Sequence, residues 1–203
     1  MPIDYSYMAT SADLFRQLAD DKEAEKLLDH AGELLSDTLS AGGKLFLAGN
    51  GGSAAISQHL VGDLIVRFRM ERAGLAAIAL SVDTAILTAA FDNDPEAIYS
   101  RQIEALARPG DVFWAFSTSG TSKNIIHACQ TARKLGMRVL GFTGQTGGEM
   151  PSICDLCFQA PSDLTSHVQE CHIAVGHMLT GIIEQRLARM GRYHMTGFVP
   201  SDR

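Results

Sequence analysis

The sequence predicts an α/β protein built on a parallel sheet of about five strands with helices on both faces. Three observations carry this reading. Short apolar runs recur along the chain, they do not alternate apolar with polar residues, and helical stretches separate them. Strands covered on both faces need apolar residues on both faces, whereas one-sided strands alternate. At 203 residues the chain suits one such domain, spanning 1–203, and is too short for two ordinary ones.

The first element expected is one long helix within a helical segment, 1–43. Leu14, Leu18, Leu27, Leu28, Ala31, Leu34, Leu35 and Leu39 fall at helical spacing over 10–41. Ser11 or Asp13 is the expected cap, and Gly42-Gly43 the stop. Its apolar stripe either meets a partner subunit or covers its own sheet. The α/β core follows over 44–190, with strands expected at Lys44–Ala48, Ala76–Leu80, Val112–Phe116, Arg138–Phe142 and Asp155–Gln159. Helices are expected between them at Ser53–Phe68, Thr84–Ala90, Ile98–Ala107 and Ser122–Leu135, and a last one over Ser166–Met190. The tail, 191–203, is polar and punctuated by Gly and Pro, which leaves it loose or docked on a neighbour.

Composition narrows the function classes. Hydrophobic residues make up 46% and charged residues 20%, enough for a core that needs no disulfide or structural metal. A net charge of −6 argues against a nucleic-acid surface, which would show as a basic face. Arg67, Arg69 and Arg72 still suit an anionic small molecule. Cys129, Cys154, Cys157 and Cys171 are too few and too uneven for a disulfide framework. Cys154 and Cys157 form a CxxC pair at the start of an apolar strand, with no second pair to complete a zinc site, so buried thiols are the expected reading. The opening MPIDYSYMATSADLF lacks a basic start and an apolar run, which predicts neither signal peptide nor membrane anchor, and so a cytoplasmic protein.

Two loops look built for a phosphorylated ligand, and ligands of open parallel sheets sit at the carboxyl ends of strands. The first strand runs into Gly49-Asn50-Gly51-Gly52-Ser53-Ala54 at the start of a helix. Glycines there allow a tight turn and close backbone approach, and the helix N-terminus favours an anion. The same letters fit a dinucleotide fingerprint, with Asp83 past the next strand as the ribose-binding acid. The third strand ends in Ser117-Thr118-Ser119-Gly120-Thr121-Ser122, five hydroxyls in six residues. A helix cap needs one hydroxyl. The surplus points to a phosphate monoester, for which a dinucleotide-binding dehydrogenase has no use at this second loop.

Two helices carry polar pairs that could meet. His59 and Asp63 are four apart and share a face. Gln169, His172 and His177 lie close in angle on the last helix. Imidazole, carboxylate and amide oxygen suit zinc or another divalent ion. The same His and Asp could instead move protons. His172 could equally order His177 or pack.

The order of GNGGSA, a His-xxx-acid pair in the next helix, STSGTS after a later strand, and Gln-Glu-x-His-xxxx-His near the end resembles the SIS-domain phosphoheptose isomerases over about residues 10–190. The resemblance implies a single SIS domain and a homotetramer with active sites between subunits. It implies conversion of sedoheptulose 7-phosphate into D-glycero-D-manno-heptose 7-phosphate, an early step of nucleotide-heptose biosynthesis. Carried over by position, Asn50, Gly51, Gly52, Asn93, Asp94 and Gln169 face the sugar. Ser117, Thr118, Ser119 and Ser122 hold its phosphate, with Ser53 and Arg67 as helpers. His59, Asp63, Gln169 and His177 fall on zinc-ligand positions, and Asp63 and His177 on the proton-transfer pair. Asp63 stands where the family usually has glutamate, and Ser166 where relatives often have an acid. Compensating geometry, another sugar phosphate or lost catalysis would each explain the aspartate. The rival class is a non-catalytic SIS protein that binds a replication initiator and lacks the full catalytic set.

Overall fold

The structure, a computed structural model, describes residues 5–191. The expected tail therefore lies outside the described residues except for Gly191. Five parallel strands form the sheet: β1 (Leu45–Gly49), β2 (Ala77–Ala79), β3 (Val112–Phe116), β4 (Arg138–Thr143) and β5 (Leu156–Gln159), in the order β2-β1-β3-β4-β5. The helices are α1 (Ser6–Asp20), α2 (Lys22–Ser40), α3 (Gly52–Ile65), α4 (Thr84–Asn93), α5 (Ser100–Leu106), α6 (Lys123–Lys134), α7 (Met150–Ile153) and α8 (Thr165–Arg189). The five apolar runs are thus the five strands, to within a residue or so at each end. Among the described residues, no helix is long and apolar enough to cross a membrane.

Successive strand residues point to opposite faces, so each unbroken apolar run feeds two cores. Leu45, Leu47, Trp114, Phe116, Leu140 and Phe142 meet the apolar faces of α2, α3 and α8. Phe46, Ala48, Phe113, Ala115 and Val139 pack on the other side against Ile103 of α5, Ile125 and Cys129 of α6, and Met150 of α7. Each fully buried Phe or Leu contributes on the order of 1.5–3 kcal/mol. The two-sided burial explains why no run alternates.

The single N-terminal helix is corrected by the structure into two. Asp21 is extended (φ −81°, ψ 103°), and its carboxylate accepts from the backbone N–H groups of Glu23 and Ala24 at the start of α2. Glu23 and Glu25 in that first turn favour the helix N-terminus further. Ser11 and Asp13 lie inside α1 and cap nothing. Ser11 instead donates to Glu170 of α8 at 2.6 Å, while the apolar stripe of α2 covers its own sheet.

The order β2-β1-β3 places the chain reversal between β1 and β3. Chain connections leave in opposite directions there, which opens a crevice at the strand ends. Gly49 pairs with Phe116 in register, so the glycine-rich and serine-rich loops leave the sheet side by side.

Candidate active site

The glycine loop turns on Gly51, whose φ of +53° and ψ of −120° are open only to glycine. Gly52 begins α3, and a Cβ there would stand 2.5 Å from the Gln169 amide oxygen. The side chain of Gln169 therefore lies directly over the loop. Asn50 is fixed from two sides: its amide exchanges hydrogen bonds with Asn124 at 2.9 Å, and Tyr99 donates to its Oδ1 at 3.2 Å. Tyr99 also donates to the Gly49 carbonyl at 2.6 Å, and burial raises its pKa. Neither Tyr99 nor Asn124 stood out in the sequence, because each acts only through a distant partner.

In the serine loop, Ser122 occupies the N-cap position of α6, yet its hydroxyl makes no capping bond. It meets the Ser117 hydroxyl instead, at 2.9 Å. Ser117 Oγ also accepts from the Gly120 N–H, and Ser119 Oγ accepts from the Thr121 N–H and hydroxyl. Helix capping alone therefore does not account for these serines. The two loops enclose a cavity of about 310 Å³, walled by Asn50, Gly51, Gly52 and Ser53 on one side and Ser117, Thr118 and Ser122 on the other, with Gln169 over it. Hydroxyls gathered at a helix N-terminus are chemistry that suits an anion.

Asp63 and His59 come from α3, and His177 from α8. The His59 and His177 Nε2 atoms are 2.9 Å apart, and Asp63 Oδ2 lies 3.5 Å from the first and 3.6 Å from the second. Ligands held at roughly 2.1 Å by a tetrahedral zinc stand about 3.4 Å from one another. Asp63 Oδ2 is buried without a hydrogen-bond partner among the described residues, so the trio has an open demand at its centre. These three residues can hold a metal ion. Burial, helped by His59 and Arg69 and opposed by Asp63, lowers the His177 pKa, which favours the neutral imidazole that a ligand must be. Phe68 stacks on the His177 ring at 5.4 Å and 11°.

A second cavity of about 450 Å³ runs from His59, the one member of the trio that lines it, to Gly52 of the glycine loop. His59, Gln169, Gly52, Ser166 and Glu170 line it, and Gly52 and Gln169 border both cavities. Where Ser166 offers no acid, Glu170 one turn on brings a carboxylate to the same wall, held at 2.6 Å by each of the Tyr7 and Ser11 hydroxyls. Those bonds and His167 offset the effect of burial and lower its pKa.

Other expected residues fall elsewhere. Arg67 is exposed and pairs with Glu71 at 2.7 Å, Asn93 donates to the Ala89 carbonyl, and Asp94 accepts from the Glu96 N–H. None of the three lines either cavity. Asp83 caps α4 through the Ala85 and Ile86 N–H groups. Arg72, expected as an anion partner, is buried against Glu184. His172 is buried and bonds the Thr143 carbonyl at 3.0 Å, among Phe116, Phe142 and Phe158, so it packs rather than ligates. All four cysteines are free thiols, and neighbouring thiols together with burial push the pKa values of Cys154 and Cys157 up.

The sheet order, the paired loops at its switch point and the trio behind them define a sugar isomerase domain, and the SIS domain family matches residues 6–144. Within that class the chain belongs to the phosphoheptose isomerases. It is 55% identical to the phosphoheptose isomerase of Geotalea daltonii over 157 residues, 76% of this chain and 81% of the relative. It is 45% identical to that of Rhodospirillum rubrum over 183 residues, 90% of this chain and 96% of the relative. The solved phosphoheptose isomerase of Neisseria gonorrhoeae superposes with a TM-score of 0.83 at 33% identity, over 89% of this chain and 96% of that one.

Proposed function

We propose that this chain isomerises sedoheptulose 7-phosphate to D-glycero-D-manno-heptose 7-phosphate. The observation that carries the reading is the shared wall: Gly52 and Gln169 border both the hydroxyl-lined cavity and the cavity holding His59. One sugar phosphate can then reach both, with its phosphate between the Ser117–Ser122 and Asn50–Ser53 loops and its carbonyl end toward Asp63 and His177. The reaction moves a proton from C1 to C2 through an enediol. Asp63 takes the proton from C1 and, as the carboxylic acid, returns it to C2, while His177 serves the accompanying transfer of the hydroxyl proton from O1 to O2. Binding at the phosphate, remote from the reacting carbons, orients them.

His59, Asp63, Gln169 and His177 are the residues we assign to a divalent ion, and their nitrogen and oxygen donors favour zinc. Such an ion supplies Lewis-acid polarisation of the sugar's C1 and C2 oxygens. We assign the protein to the cytoplasm, where phosphorylated sugars are made.

A homotetramer with sites between subunits fits the residues that point away. Arg67, Asn93 and Asp94 are exposed, and so are the apolar Ile65, Val66, Ile86 and Phe91 near them in sequence. In such an assembly they would face a neighbouring subunit.

The test is turnover of sedoheptulose 7-phosphate by purified protein with added zinc, read through a heptose 7-phosphate kinase. Zinc-dependent product is expected. Binding of the sugar phosphate without product would instead identify a binding protein or another substrate.

A further inference from the structure

Behind the trio lies an ion pair that touches none of its side chains and yet reaches two of its members. Glu184 of α8 and Arg72, in the segment joining α3 to β2, are buried to 1% and 3% side-chain exposure, with Arg72 Nε 2.9 Å from Glu184 Oε1. Glu184 Oε1 also accepts from the Phe68 N–H at 3.0 Å, and Oε2 accepts from the Arg69 and Met70 N–H groups at 2.9 and 3.2 Å. A carboxylate has about four lone-pair sites, and all are taken. On its other side the guanidinium donates to the Asp63 carbonyl at 2.7 Å and to the Leu64 carbonyl at 2.7 Å. These are carbonyls of the last turn of α3, which the helix itself cannot satisfy.

The pair therefore grips both sides of the site. Through Arg72 it fixes the backbone of Asp63. Through Glu184 it fixes the backbone of Phe68, whose ring stacks on His177. Arginine is required rather than lysine, because only a planar fork reaches a carboxylate and two carbonyls at once.

We propose that Arg72 and Glu184 are positioning residues that set the spacing of Asp63 and His177, and through it the metal affinity and the rate. The proposal rests on reading His59, Asp63 and His177 as a metal site. Outer partners of metal ligands commonly change affinity or activity by about 10–100-fold when altered.

The experiment titrates zinc into the metal-free full-length protein against a chromophoric chelator, for wild type, Arg72→Lys and the double variant Arg72→Met/Glu184→Leu. The lysine keeps a charge for Glu184 but loses the fork. The double variant leaves no buried charge unpaired, but it takes the acceptor from the Phe68, Arg69 and Met70 N–H groups, so its Tm is expected to fall and its fold is checked by a thermal melt. Zinc affinity is expected to fall at least about tenfold in both, with kcat falling and KM for the sugar phosphate within about twofold. Wild-type affinity and kcat in either folded variant, with only a lowered Tm, would overturn the proposal. If the wild type itself binds no zinc, the metal reading fails on its own. Positioning is then decided by kcat, where a fall at constant KM supports it and an unchanged value overturns it.

Discussion

Gln169 lies over Gly52 so closely that a methyl group on the glycine would stand 2.5 Å from its amide oxygen and 2.7 Å from its amide nitrogen. The obstructing atoms are the end of a flexible side chain, so the fold can yield where the site cannot. Gly52→Ala is expected to fold with a Tm within a few degrees of wild type while moving the amide out of the shared wall. A displacement of about 1 Å at a reacting site can cost about a hundredfold in rate. A fall in kcat/KM of at least about tenfold is expected, and steady-state kinetics beside a thermal melt will show whether activity and stability separate.

Asp63 already brings Oδ2 to within 3.5 and 3.6 Å of the two imidazole nitrogens. The shorter side chain thus closes the trio without the extra methylene of a glutamate. Asp63→Asn is expected to abolish turnover and weaken zinc binding, while phosphate affinity stays within about twofold because the anion cavity is untouched. Asp63→Glu is expected to lower kcat about tenfold or more, since an added methylene drives the carboxylate into the imidazoles. Equal or higher activity in that variant would show that the aspartate is a handicap.

What was legible in the sequence follows physical range. Unbroken apolar runs such as Val112–Phe116 report burial on both faces directly, and each became a strand. His59 and Asp63 share a helix, so their spacing alone placed them together. The break at Asp21 is hidden because 20–26 carries only Ala24 as an apolar marker, and a helical phase cannot be followed across it; the signal is an aspartate ahead of Glu23 and Glu25. Glu184 looked like one more charge on a long helix, since its partners lie more than a hundred residues earlier. Glu170 is hidden in the same way, and Tyr99 acts through partners 49 and 50 residues earlier. Ser122 was ambiguous between cap and ligand until its hydroxyl was found turned to Ser117.

Ser122 offers a clean separation of function from fold. Its hydroxyl caps nothing and bonds only Ser117, so Ser122→Ala should cost no more than that one hydrogen bond, about 0.5–1.5 kcal/mol. A hydrogen bond to a charged group is worth about 1.5–3 kcal/mol. The KM for the sugar phosphate is therefore expected to rise about tenfold or more with kcat little changed. A melt that drops by several degrees, with KM unaltered, would return this serine to a structural role.

His172 should govern the acid limb of stability. Burial lowers its pKa to about 4, partly offset by its bond to the Thr143 carbonyl, against 6.5 when unfolded. The folded chain therefore binds this proton only below about pH 4, while the unfolded chain binds it below about 6.5. Between those values the unfolded state holds more protons, so stability falls as pH falls, by at most about 3 kcal/mol. Above pH 6.5 the group contributes no pH dependence. His172→Leu leaves the Thr143 carbonyl satisfied, because it also accepts from the Ala160 N–H at 2.8 Å. That variant is expected to lose about 1–2 kcal/mol at pH 7 through imperfect packing among the phenylalanines. Its urea midpoint should decline less steeply than wild type between pH 6.5 and 4, since the remaining slope belongs to other groups. Parallel midpoint curves for the two proteins would mean that His172 carries its proton into the folded state.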